Sequence, residues 1–113
     1  MIESYSFGTM TVKGEVHHHD LKIIGNRVIG NWWRREGHAL HPEDIHDILN
    51  ASVEILVVGR GEPGHLRISN NAARAIEARG IRLVALPTGK AVETYNILRR
   101  EGKSVAGAFH LTC

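Results

Sequence analysis

The chain has 113 residues, 42% of them apolar and 23% charged, and a net charge of +2. That length fits one domain (1–113), and folding it buries roughly 65% of the surface of the extended chain, enough for one core without staples. The charge is too small and too scattered for a nucleic-acid binder, whose Lys and Arg gather in a stripe, and no apolar run nears the ~20 residues of a membrane span.

The first third (1–35) reads as β structure. Met10-Thr11-Val12 meets a Lys13-Gly14 turn and then Glu15–His19. Leu21–Ile24 meets Gly25-Asn26 and then Val28–Trp33. Short β-branched runs parted by glycine turns mark hairpins, so an antiparallel meander is expected.

From residue 36 to 113 the pattern alternates. Pro42–Leu49 suits a short helix, with Pro42 at its first position, acidic Glu43 and Asp44 at its positive end, and Ile45, Ile48 and Leu49 on one face. Glu54–Val58 is a strand and His65–Ile68 a short extended stretch. Ser69 caps a helix that turns Ala72, Ala73 and Ile76 inward and ends at Arg79-Gly80. Ile81–Leu86 is a strand. A helix opens at Thr88, buries Ala91, Val92, Tyr95 and Leu98, and stops at Gly102. Ser104–Leu111 is the last strand. The plan is α/β: a meander, then helices crossing between parallel strands.

Two strand-to-helix junctions attract attention. ILVVGRG (55–61) stops at Gly59 and Gly61, and LVALPTGKAVETYN (83–96) stops at Pro87-Thr88. Loops beyond the carboxyl ends of parallel strands are where ligands bind in such sheets. If Val58 and Leu86 end side by side, the glycine bend and the Thr88 helix share a rim. Gly59–Gly64 matches G-x-G-x-x-G, but no helix follows directly and the next strand ends without an acid, so it is no dinucleotide fingerprint. A tight turn, or close approach of a ligand or loop, remains. Thr88-Gly89-Lys90 lacks the rest of a phosphate loop, since Val84 and Ala91 stand where glycine and Ser or Thr are needed. Thr88 is then a helix cap or a weak anion site. Asn96, in mid-helix, is expected to bind loop backbone or a substrate.

Eight histidines invite a metal, but sequence supplies donors without convergence, and no metal site is assigned. Asp20, closing His17-His18-His19-Asp20, is expected to bond to Thr, Arg or backbone. Trp32 and Trp33, adjacent on a strand, should face opposite ways. Arg34 and His38 suit an anion or acid–base work, or Arg34 stacks on a Trp. His110 and Cys113 suggest a base and a nucleophile, against the plainer reading of a strand tied into the sheet. The opening, MIESYSFG, has no signal-peptide pattern, and one cysteine fits a reducing compartment, so a cytoplasmic location is expected.

Five blocks in order, YSFG (5–8), WWRREGH (32–38), ILVVGRG (55–61), PTGKAVETYN (87–96) and FHLTC (109–113), resemble the adipogenesis-associated domain family of unknown function. The mitochondrial complex I assembly factor of the same superfamily is similar at a greater distance. The resemblance implies a three-layer β/β/α domain with a mixed central sheet, and no settled activity. By motif it carries over Arg34, Gly37, His38, Gly59, Gly61, Thr88, Thr94, Tyr95, Asn96 and His110.

The expectation is a non-catalytic binding or assembly module with a protein partner. Its alternative is a binder of, or enzyme for, a small anionic metabolite, with a pocket near Gly59–Gly61 and Thr88. The ligand-binding candidates are Arg34, His38, Gly59, Gly61, Thr88, Thr94, Asn96 and His110. No catalytic residue, cofactor, nucleic acid or membrane is assigned, and self-association is one assembly to consider.

Overall fold

A computed structural model describes residues 1–113. The chain opens with an antiparallel sheet of β1 (Ile2–Ser6), β2 (Thr9–Val12) and β3 (Glu15–His17), in that spatial order. The hairpin β4 (Leu21–Ile24) and β5 (Arg27–Ile29) follows. Then come β6 (Ala39–Leu40), a 3-10 turn (Pro42–Ile45), α1 (His46–Leu49), β7 (Ile55–Arg60), β8 (Arg67–Ile68), α2 (Asn70–Ala78), β9 (Arg82–Leu86), α3 (Thr88–Arg100) and β10 (Val105–His110). The main sheet is mixed, in the order β5-β4-β10-β7-β9. Strand β10 pairs antiparallel with β4 and parallel with β7. Strands β7 and β9 are parallel, with Val58 opposite Ala85 and Gly59 opposite Leu86, so their carboxyl ends do lie side by side.

Apolar residues cover both faces of this sheet because β7 and β10 carry no polar side chain until Arg60 and His110 at their carboxyl ends. On one face Ile55, Val57, Val105 and Phe109 pack with Ala91, Val92 and Tyr95 of α3 and with Ile2, Met10 and Val12 of the small sheet. On the other, Leu56, Val58, Ala106 and Ala108 pack with Trp32, Ile45, Ile48 and Ile76. Asn96 ties the small sheet to α3, its Oδ1 accepting from Ile2 N–H at 3.0 Å and its Nδ2 donating to Ile2 O at 2.9 Å. The α/β class and the mixed sheet agree with expectation.

Several local expectations differ. The meander is not one sheet: β1–β3 form their own layer, while β4 and β5 join the main sheet. Strand β5 stops at Ile29, because Asn31 takes φ 48°, a left-handed conformation incompatible with a ladder. Trp32 and Trp33 therefore lie off the strand, one buried and the other 78% exposed. Strand β3 ends at His17, which frees His18 and His19. The Pro42 helix is a 3-10 turn followed by a single α turn, with the Asp44 carboxylate accepting from His41 N–H at 2.7 Å. Ser69 caps α2 by accepting from Ala72 N–H at 3.0 Å, but Ala73 faces solvent. Gly59 belongs to β7, not to a bend after it.

Candidate functional site

Asp20, just before β4, gathers three parts of the chain. Its Oδ2 accepts from Arg34 Nη1 at 2.8 Å and stands 2.8 Å from His110 Nδ1. Its Oδ1 accepts from Leu111 N–H at 2.8 Å, and its backbone carbonyl accepts from Trp32 N–H at 2.8 Å. Burial pushes the Asp20 carboxyl up, but the hydrogen bonds from His110, Leu111 N–H and Arg34 outweigh it and hold the group below its ordinary value. The carboxylate is thus ionised and fully engaged.

Arg34 is fixed from all sides. Its side chain is only 4% exposed. Nε and Nη2 donate to Gly37 O at 3.2 and 2.7 Å, and the guanidinium carbon lies 4.8 Å from the centre of the Trp32 ring. Lys22 Nζ lies 5.6 Å from that ring centre while bonded to both Asp47 oxygens at 2.9 Å. Trp32 spends its indole N–H on Asp44 O at 2.9 Å. Two cations on one indole, each neutralised by its own carboxylate, make a stiff wall.

Against this wall opens a cavity of about 460 Å³. Asp20, Arg34 and His110 form its floor, Trp33, His18 and His19 its outer side, and Gly37, His38, Leu111 and Thr112 the remainder. The ring of His38 stands edge-on to those of His110 and His65, with centres 5.5 and 5.8 Å away. Cys113 Sγ lies 3.9 Å from His38 Nε2, a weak contact. No group of three or more His, Cys, Asp or Glu side chains is arranged to hold a metal ion.

The cavity is not at the expected rim. Gly59, Gly61 and Thr88 line none of the cavities. Thr88 is fully buried and does not cap α3; Pro87 holds that position. The Thr88 hydroxyl accepts from Gly61 N–H at 2.8 Å and donates to His110 O at 2.6 Å. The anion at the start of α3 is the chain's own, since Glu62 Oε1 accepts from Gly89 N–H at 2.9 Å. A Cβ on Gly59 would lie 2.9 Å from both Phe109 and Thr88. Close approach there serves packing, and the chain itself fills the junction. Thr88→Val is expected to cost about 2 kcal/mol, because it strands one buried N–H and removes the donor to one carbonyl. Thr88→Ser should cost much less. Equal midpoints for the two variants in urea unfolding would contradict this account.

Of the sequence candidates, Arg34, His38 and His110 meet at the cavity. Thr94 and Asn96 lie on α3 and line none of the cavities, with Asn96 committed to Ile2. Asp20 was absent from the candidates. The expected bonds of Asp20 to Arg and backbone are present, with Arg34 and Leu111 N–H, but partners 14 to 91 positions away are not named by its local sequence.

The model of the family "Protein of unknown function (DUF498/DUF598)" matches residues 2–110. The chain belongs to that family. A DUF498/DUF598 chain should share one fold with distant relatives, and solved structures bear this likeness. A conserved hypothetical protein of Pyrococcus horikoshii OT3 is 25% identical with a TM-score of 0.81, covering 100% of this chain and 99% of that one. A protein of Bordetella parapertussis is 26% identical with a TM-score of 0.85, covering 98% and 94%. One described as an outer membrane protein of Bartonella henselae is 24% identical with a TM-score of 0.82, covering 99% and 94%, a likeness of fold alone. These likenesses indicate no specific biochemical role. In the present chain no helix is long and apolar enough to cross a membrane.

Proposed function

We propose that this protein is a small binding module, non-catalytic in itself, whose ligand is a compact polar or anionic molecule held in the cavity beside Arg34 and His110. The observation that carries this reading is the Asp20 arrangement. One carboxylate fixes a guanidinium, an imidazole and a backbone N–H, so the floor is held in place before any ligand arrives. Around it the sole acid is neutralised and four imidazoles, of His18, His19, His38 and His110, offer donors and acceptors. Small-molecule sites pair such a concave surface with a few convergent polar groups. The working location is the cytoplasm.

The test is a thermal-shift screen against metabolites and anions. A site-specific binder at 100 times its Kd adds about 2.7 kcal/mol of stability. Trp33, exposed and on the rim, tolerates change without loss of core, so Trp33→Ala should weaken such a binder about tenfold, the value of one lost aromatic contact. A binder indifferent to Trp33→Ala occupies some other place, and the cavity reading then fails.

Protein docking is the second reading, favoured by the same 78% exposure of Trp33. The resemblance to the adipogenesis-associated domain family and the more distant complex I assembly factor supports it. Co-purification that Trp33→Ala abolishes would select it over the small molecule, and self-association would show as a concentration-dependent mass.

A further inference from the structure

His110 closes the cavity floor with its side chain only 7% exposed. Asp20 is ionised, so the 2.8 Å contact at Nδ1 requires the ring to carry its proton there and to donate it. The neutral ring then has its lone pair on Nε2. That atom is shut off from solvent and has no hydrogen-bond partner.

The surrounding groups do not supply one. Asp20 holds Nδ1, and Arg34 Nη2 lies 3.2 Å from the same nitrogen. His38 stands edge-on, with His65 and Cys113 beyond it. The Tyr5 hydroxyl donates to Leu111 O at 3.0 Å. Asp20 and Arg34 cancel in charge. A proton on Nε2 would therefore leave one positive charge at the floor, which an anion neutralises.

We infer that His110 Nε2 is the anchoring atom of the cavity and that the ligand is a weak acid, a carboxylic acid, phenol or enol, bound with one proton shared between its oxygen and Nε2. This rests on the cavity being a binding site, as proposed above. The proton comes from the ligand hydroxyl, or from solvent when the ligand arrives as its anion. No other bond forms or breaks. Asp20 is the positioning residue, fixing the tautomer and balancing the imidazolium. His38, exposed on the surface, is the ring that turns aside to admit the ligand. Trp33 faces the part of the ligand that is not acidic.

The test uses 4-nitrophenol, a flat weak acid that changes colour on ionisation and quenches tryptophan emission. Long-range 1H–15N spectra of the free protein should show the His110 ring protonated at Nδ1 and bare at Nε2 near neutral pH. Saturating 4-nitrophenol should convert Nε2 to a protonated nitrogen. Affinity should peak where the pair shares one proton and fall about tenfold per pH unit on either side. His110→Gln should lower the peak affinity at least tenfold and flatten the profile, whereas Trp33→Ala should weaken binding without changing the profile's shape. A free protein with Nε2 protonated and Nδ1 bare overturns the inference whatever binds. So does a flat pH profile, or His110→Gln binding as wild type. If binding is flat in pH but still sensitive to Trp33→Ala, the cavity reading stands and only proton sharing falls. Absence of 4-nitrophenol binding overturns the inference, while the metabolite screen decides separately for the cavity. The spectra are taken on the wild-type chain and do not depend on a variant folding.

Discussion

Replacing Asp20 by asparagine should lower the unfolding free energy by about 3 kcal/mol, the lower end of what breaking a buried ion pair costs. Asparagine keeps an oxygen for Leu111 N–H, but it leaves Arg34, 4% exposed in its side chain, without a counter-charge. In a domain of this size that corresponds to a fall in melting temperature of roughly 15 °C. Acidification supplies a second reading of the same residue. The folded Asp20 carboxyl titrates below its ordinary value, so its contribution is complete above that value and disappears as pH falls through the lower folded one. Wild-type stability should therefore decline below about pH 4, and Asp20→Asn should lose that share of the decline. Glu3, whose carboxyl is held low by the N–H groups of Gly14 and Lys13, keeps its own share in both proteins. Calorimetry across pH checks both statements, and a loss under 1 kcal/mol would mean that Arg34 finds another partner.

Gly61→Ala should be comparably damaging for a different reason. Gly61 has φ 92°, where a side chain is strained, at about 1–2 kcal/mol. Its Cβ would lie 2.3 Å from Thr112 O and 2.7 Å from both the Cys113 carbonyl carbon and His110 Cδ2. Backbone cannot rotate away as a flexible side chain does, so the segment after β10 must move, at a further ~1–3 kcal/mol. The bonds from Glu62 N–H to Thr112 O and from His65 N–H to Cys113 O, both 2.8 Å, would be lost with it. A total near 4 kcal/mol is expected in denaturant unfolding. The disturbance reaches His110, so ligand binding should weaken as well. Wild-type stability in Gly61→Ala would show that the tail is not seated where the geometry puts it.

What the sequence made legible followed from local chemistry. Alternation and glycine turns located the hairpins, Ser69 announced α2, and the apolar runs of β7 and β10 were legible as strands. The ends of β7 and β9, expected with Val58 beside Leu86, do lie together, with Val58 opposite Ala85 and Gly59 opposite Leu86. What stayed hidden depended on distant partners. Thr88 looks like a cap in any window of ten residues, and only the arrival of Gly61 and His110 turns its hydroxyl inward. Glu62 looks like a loop acid, yet it fills the helix start that an external anion would need. Asp20 looks like the end of a histidine run, and its meaning comes from residues 34, 110 and 111. Arg34 and His38 were legible as candidates because a cation and an imidazole beside two tryptophans have few purely local uses.

The place of β10 in the sheet bears on how this molecule comes to be folded. It comes after every other described strand in chain order, yet it lies between β4 and β7. Until residues 105–110 are in place, β4 is paired only with β5 and β7 only with β9, and each presents one unpaired edge. Closure of the sheet is thus a late event that joins segments some 80 positions apart, the kind of non-local step that slows folding and exposes nascent chains to mispairing.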